Sequence, residues 1–96
     1  MQEKYEPPEE VKAMMGKQVV VDTDSSYIYV GTLESIGRDY FCLSNVDVHD
    51  TDDSKSTKEH YAHESRKLGS RFNRKMTYVR LDRVLSISLV DDVIVF

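Results

Sequence analysis

The chain is poor in the residues that usually announce chemistry. Its 96 residues include one cysteine, no tryptophan and two prolines. A single thiol, Cys42, excludes an internal disulfide and predicts a reducing compartment. No apolar run approaches the roughly 20 residues that span a bilayer, so no membrane segment is expected. The opening MQEKYEPPEE is acidic and polar, unlike a secretory signal. Together these absences predict a cytoplasmic protein, folded as one domain near the lower size limit for independent folding.

Catalytic groupings are missing too. Ser25, Ser26, Ser86 and Ser88 have no nucleophile-elbow context, and no glycine loop is built to cradle a phosphate. Cys42 stands between Phe41 and Leu43 with no base at a recognisable spacing, which reads as a core or interface thiol. His49, His60 and His63 lie among Asp50, Asp52, Asp53, Glu59 and Glu64, residue types that suit zinc. No HExxH or comparable spacing organises them, so a solvated polar loop is the better reading. The chain is read as a non-enzyme without metal or cofactor.

The residues present describe a mainly β protein. Pro7 and Pro8 suit the start of a short helix, Glu9 and Glu10 its positive end, and Gly16 its stop. Val11, Met14 and Met15 would form its apolar stripe, capping the open end of a barrel. Val19, Val20 and Val21 lead a first strand that ends in the turn formers 22–26. The second strand runs from Tyr27 to Ile36, with Tyr27, Tyr29, Gly31 and Leu33 on one face and Ile28, Val30 and Thr32 on the other. Gly31 is costly inside a strand unless the chain bends there or a neighbour packs close, and a small barrel needs both. Gly37, Arg38 and Asp39 turn the chain into a third strand, Tyr40 to Val46.

Residues 47–75 read as a polar insertion, too long for a hairpin loop and partly helical. Ser56 and Glu59 have capping-box spacing, Tyr61, Glu64, Ser65 and Leu68 follow at helical intervals, and Gly69 ends the helix. Strand character resumes from Met76 to Leu81. Asp82 and Arg83 turn the chain into Val84–Val90, where Leu85, Ile87 and Leu89 alternate with serines. The apolar tail, Val93 to Phe96, would pair as an extra strand or bury against a neighbour. The expected organisation is thus a helix over 1–16, strands within 17–48, an insertion over 49–75, two strands over 76–90 and a tail over 91–96.

The net charge is −4, unevenly spread. Residues 1–48 hold four basic against nine acidic side chains, and 76–96 hold two against three. Residues 49–75 reverse the balance with seven basic against five acidic, so a polyanion surface would be local. Arg66, Lys67, Arg71, Arg74 and Lys75, with Phe72 interleaved, have the residue types for phosphate contact and base stacking. The competing reading is a solvated helix end whose cations complement its negative pole. Tyr27, Tyr29 and Tyr40 would form an aromatic surface, or stabilise the sheet as cross-strand neighbours.

The segment G-T-L-E-S-I from Gly31 to Ile36, and Y-V-R-L-D-R-V-L-S-I from Tyr78 to Ile87, resemble the two short motifs of the Sm-like (LSm/Hfq-like) family. That resemblance implies a strongly bent five-stranded antiparallel barrel with an N-terminal helix. It implies homo-oligomeric rings, in which the fourth strand of one subunit pairs with the fifth of the next, and single-stranded RNA as partner. Arg80 falls at the family's motif arginine. The family's uridine-binding aspartate and asparagine correspond to Gly37 and Phe41 here, and the glycine after the motif arginine is Leu81. Asp39 lies beside the first of these positions. Two functions therefore follow as expectations. One is RNA binding through Arg80, Arg83, Asp39 and the basic run; the other is a protein-assembly module that has lost RNA. Arg80 and Arg83 either meet a ligand at the pore or pair with Asp82, Asp91 or Asp92.

Overall fold

The computed structural model describes residues 6–53, 57–69 and 71–95. A one-turn helix α1 (Glu9–Lys12) precedes strands β1 (Gln18–Thr23), β2 (Tyr27–Ile36) and β3 (Tyr40–Asp50). Helix α2 (Lys58–Leu68) follows, then β4 (Arg74–Arg80) and β5 (Val84–Leu89). All neighbouring strands are antiparallel, in the order β4-β3-β2-β1-β5. The fold is the mainly β, bent five-stranded architecture expected, with both helices.

The bends have identifiable causes. Between β2 and β3 the register shifts twice, at Val30/Thr32 and at Leu33/Ser35. Opposite the first shift Asn45 adopts φ 48°, the left-handed region that asparagine tolerates. Gly31 sits against this bulge. A Cβ there would lie 3.1 Å from the Ser44 carbonyl oxygen and 3.2 Å from Val46 Cγ2, a tight fit that glycine relieves.

Curling the sheet separates two apolar layers. Inside are Val19, Val21, Leu33, Phe41, Leu43, Val46 and Val79, flanked by Tyr29, Ile87 and Leu89. On the other face of β1 and β2, Val20, Ile28 and Val30 meet Val90, Tyr61, Ala62 and Val93. The alternation within β2 thus feeds two cores, because α2 covers the face that would otherwise meet solvent.

Several element bounds differ from those read in the sequence. β3 continues through Asp50, since Tyr27 to Val30 offer partners to Asp47, Val48, His49 and Asp50. β4 opens at Arg74, paired with Val46, two residues ahead of Met76. The N-cap of α2 is Thr57, whose hydroxyl accepts from the His60 amide at 3.1 Å. Ser56, the Leu68 side chain and Phe96 lie outside the described residues. Of the expected stripe, Val11 in α1 and Met14 just beyond it pack against the core. Met15 is exposed, because the helix ends after one turn and Gly16 (φ 78°) swings the chain to bond the Leu33 carbonyl at 2.8 Å.

Leu85 also departs from its expected place. A register shift at Asp22/Thr23 pairs Asp22 with Ser86 and Thr23 with Val84, leaving Leu85 looped outward and 68% exposed. Among its described residues, 93–95, the tail adds no strand within the subunit. A 3-10 turn, Val90–Asp92, sends Val93 onto the outer layer and leaves Ile94 70% exposed.

Candidate nucleic-acid interface

Two turns come together at one end of the barrel. The β2–β3 turn is closed by the Gly37 amide donating to the Tyr40 carbonyl at 2.8 Å. A Cβ on Gly37 would press to 3.3 Å from that same oxygen. The β4–β5 turn, Leu81–Arg83, is tied to it by the Leu81 amide donating to the Asp39 carbonyl at 2.9 Å. The pairing of Tyr40 with Arg80 fixes the register beneath. Between the turns lies a cleft of about 300 Å³ lined by Arg38, Asp39, Tyr40, Arg80, Leu81 and Asp82.

A second cavity of about 540 Å³ adjoins it, with Arg80 in both walls and with Arg83, Tyr29, Tyr78, Asp24 and Ser25 around it. Its floor is ordered by hydroxyls: Thr23 Oγ1 donates to the Tyr27 carbonyl at 2.9 Å and lies 2.8 Å from Ser25 Oγ. Tyr40 and Tyr78 meet edge to face at 6.5 Å, and both rings are substantially exposed. A hydrogen bond shared with the buried Cys42 holds the Tyr78 phenol above its usual value.

The two turn arginines each have an intramolecular carboxylate. Arg80 Nη2 donates to Asp82 at 2.7 Å, one of the pairings expected. Arg83 Nη1 donates to Asp24 at 3.0 Å, a partner from the β1–β2 turn that sequence reasoning missed. That hydrogen bond raises the Arg83 guanidinium above its ordinary value. Both pairs are open to solvent, so holding them together contributes little and exchanging them for a ligand is inexpensive.

The basic run does not gather at this end. Arg66 and Lys67 end α2, with Arg66 4.0 Å from Asp91. Arg71 and Phe72 are exposed in the connection, and Arg74 and Lys75 open β4. Asn73 anchors that connection by donating its amide to the Val46 carbonyl and accepting from the Val48 amide. Arg74 and Arg80 sit at opposite ends of β4, roughly 20 Å apart at strand rise. The run and the cleft are therefore separate surfaces.

The tyrosines pair on the two sides of the 540 Å³ cavity, which Tyr29 and Tyr78 both line. Tyr27 stacks on Tyr29 at 6.4 Å, and Tyr40 meets Tyr78 instead. Arg38 and Tyr78 went unnoticed as site residues, although strand pairing of Tyr40 with Arg80 would have brought them in. Phe41, which the motif resemblance aligns with the family's asparagine, is buried in the barrel core and offers no polar group.

The histidines are dispersed along the insertion. His60 lies 3.8 Å from Glu64 and His63 3.4 Å from Glu59, both at i, i+4 on α2. His49 stacks on Tyr61 at 4.2 Å with planes 5° apart. Burial pushes the Tyr61 phenol above its usual value, and the Asp47 carboxylate adds to this. Among the described residues no three metal-ligating side chains converge. None of their helices is long and apolar enough to cross a membrane.

Comparison with solved structures places this geometry. The SmAP1 heptamer of P. aerophilum is similar at 22% identity and TM-score 0.56, over 83% of this chain and 86% of that one. The fold is Sm-like. The Sm protein of Pyrococcus abyssii, solved with a uridine heptamer, matches this Sm-like chain at 18% identity and TM-score 0.56, over 88% and 99%. A chain of the NatC complex bound to CoA matches at 18% identity and TM-score 0.55, over 82% of each. No family model and no curated protein sequence matches, so the likeness is one of fold.

Proposed function

We propose that the chain is a non-enzymatic, homo-oligomeric Sm-like module that binds single-stranded RNA at the cleft between its β2–β3 and β4–β5 turns. The observation that carries this reading is the convergence of Arg38, Arg80 and Tyr40 on one cavity. Guanidiniums suit phosphate and base edges, and an exposed tyrosine supplies a stacking face. The similar P. abyssii protein was solved with a uridine heptamer, which supports the same class of partner here. Arg83, lining the adjoining cavity, extends the positive surface. Arg66, Lys67, Arg71, Phe72, Arg74 and Lys75 act as an outlying surface that attracts the backbone over a longer range. The single thiol, buried in β3, suits a cytoplasmic setting.

The sheet order, in which β4 and β5 are the two ends, supports oligomerisation. Unpaired edges invite pairing, and a head-to-tail β4–β5 contact closes into a ring. The similar SmAP1 chain forms a heptamer. Titrating labelled oligouridine and oligoadenine at two salt concentrations tests the RNA reading. Binding should be measurable at low salt and weaken as salt rises, since displaced counterions drive phosphate contacts. No binding at low salt rejects it.

A second reading, a protein-assembly module without RNA, is favoured by the exposed Leu85, Ile94 and Val95 beside the β5 edge. The similarity to a chain of the NatC complex supports it. Deleting residues 93–96 should then lower the assembled mass measured by light scattering. An unchanged mass counts against this use of the tail.

A further inference from the structure

The polar side chains of the 300 Å³ cleft divide sharply by hydrogen-bonding type. Arg38 and Arg80 can only donate, Asp39 and Asp82 can only accept while ionised, and Tyr40 can do both. Arg80 offers several N–H groups and gives one to Asp82 Oδ2. The Asp39 carboxylate carries no hydrogen bond or ion pair among the described residues, although it stands in the wall of a cleft flanked by cations. The cleft lies at the small end of ligand-sized cavities and suits a single base.

Resting on the RNA reading above, we infer that this cleft is specific for guanine, with Asp39 as the residue that reads it. A carboxylate is best satisfied by two adjacent N–H donors. Guanine alone among the four RNA bases presents such a pair, N1–H and the 2-amino group. Its other edge presents O6 and N7, two adjacent acceptors that match a guanidinium bidentately. Guanine thus suits an aspartate and an arginine at once. Uracil offers one N–H between two carbonyl oxygens, so Asp39 would gain one bond and face two repelling acceptors. Adenine and cytosine each offer an amino group beside a ring acceptor, which leaves one carboxylate oxygen opposed. Tyr40, exposed at the cleft wall, provides the stacking surface that any base can use. The adjoining 540 Å³ cavity, reached past Arg80, takes the ribose-phosphate of the same nucleotide, with Arg83 in its wall.

Fluorescence anisotropy with the full chain tests this, using three labelled oligonucleotides of one length at low salt. One is oligouridine, the second carries guanosines at alternate positions, and the third carries inosines there, which lack the 2-amino group. The guanosine oligonucleotide should bind about tenfold more tightly than oligouridine, the discrimination expected of one bidentate pair. Inosine should lose most of that gain. Asp39→Asn should abolish the guanosine preference, so that the guanosine and inosine oligonucleotides bind alike. Equal or weaker binding of the guanosine oligonucleotide, or a preference that survives Asp39→Asn, overturns the proposal. Oligouridine binding without guanosine preference removes this inference alone. Failure of all three oligonucleotides to bind removes the RNA reading with it.

Discussion

The turn end of the barrel and the insertion helix both display cations, but they are held by different kinds of bond. At the turns, backbone groups do the holding: Gly37 to Tyr40, Leu81 to Asp39, and Asp24 to Arg83, all between 2.8 and 2.9 Å. Helix α2 is attached chiefly through side chains. Lys58 Nζ reaches the Asp22 carboxylate, the Thr23 carbonyl at 2.9 Å and the Ser25 carbonyl at 2.6 Å. Tyr61 stacks on His49, and Ala62 packs with Val93 on the outer layer. A backbone-tied end fixes the spacing of its arginines to the barrel itself, whereas a side-chain-tied layer can loosen without unfolding the sheet. Functional groups that need fixed geometry belong on the former.

That contrast can be broken at four points. The largest effect is expected from Leu33→Ala, which empties a fully buried site in the barrel core. It should lower unfolding free energy by about 3 kcal/mol and weaken both regions together in a denaturant titration. Arg80→Ala should leave stability nearly unchanged and reduce RNA affinity about tenfold, read by anisotropy. The double change Arg66→Ala with Lys67→Ala should reduce it much less, by a similar factor for every oligonucleotide, because those cations lie outside the cleft. Lys58→Met should cost only about 1 kcal/mol of stability, well below Leu33→Ala, since Asp22 loses its cation but stays one-third exposed. Hydrogen exchange should speed in α2 and stay slow in β1–β3. Uniform acceleration would show that the insertion and barrel are one cooperative unit.

Much of the barrel was legible because its signals are local. Period-2 alternation marked β2 to the residue, and Gly31 announced a close approach that the Ser44 carbonyl and Val46 supply. The end of β3 was hidden by composition. Asp47 and His49 read as loop, although Val46 and Val48 alternate with them and face the inner core. The polar members are tolerated there because their neighbours are Tyr61 and α2, an element placed by long-range packing. Leu85 misled for a related reason: one register shift opposite Asp22/Thr23 reverses the face of a residue, and no local signal marks it.

The candidate site was half legible. Arg80 and Asp39 were picked out, and the structure brings them to one cleft. Arg83 falls just outside it, on the adjoining cavity that shares Arg80. The basic run seemed continuous with them only because charge was counted along the chain. Strand β4 puts its two ends far apart, and the run stays at the wrong one. Arg38 and Tyr40 enter the site through pairing of β3 with β4, a contact between residues some forty positions apart.

The most direct test follows backbone amide resonances of the labelled protein while single-stranded RNA is added at low salt. Chemical shifts should move at Arg38, Asp39, Tyr40 and the Arg80–Asp82 turn, and stay within the noise along α2. Shifts confined to α2 and its basic run, with the turns unmoved, would contradict the assignment of the cleft as the RNA site.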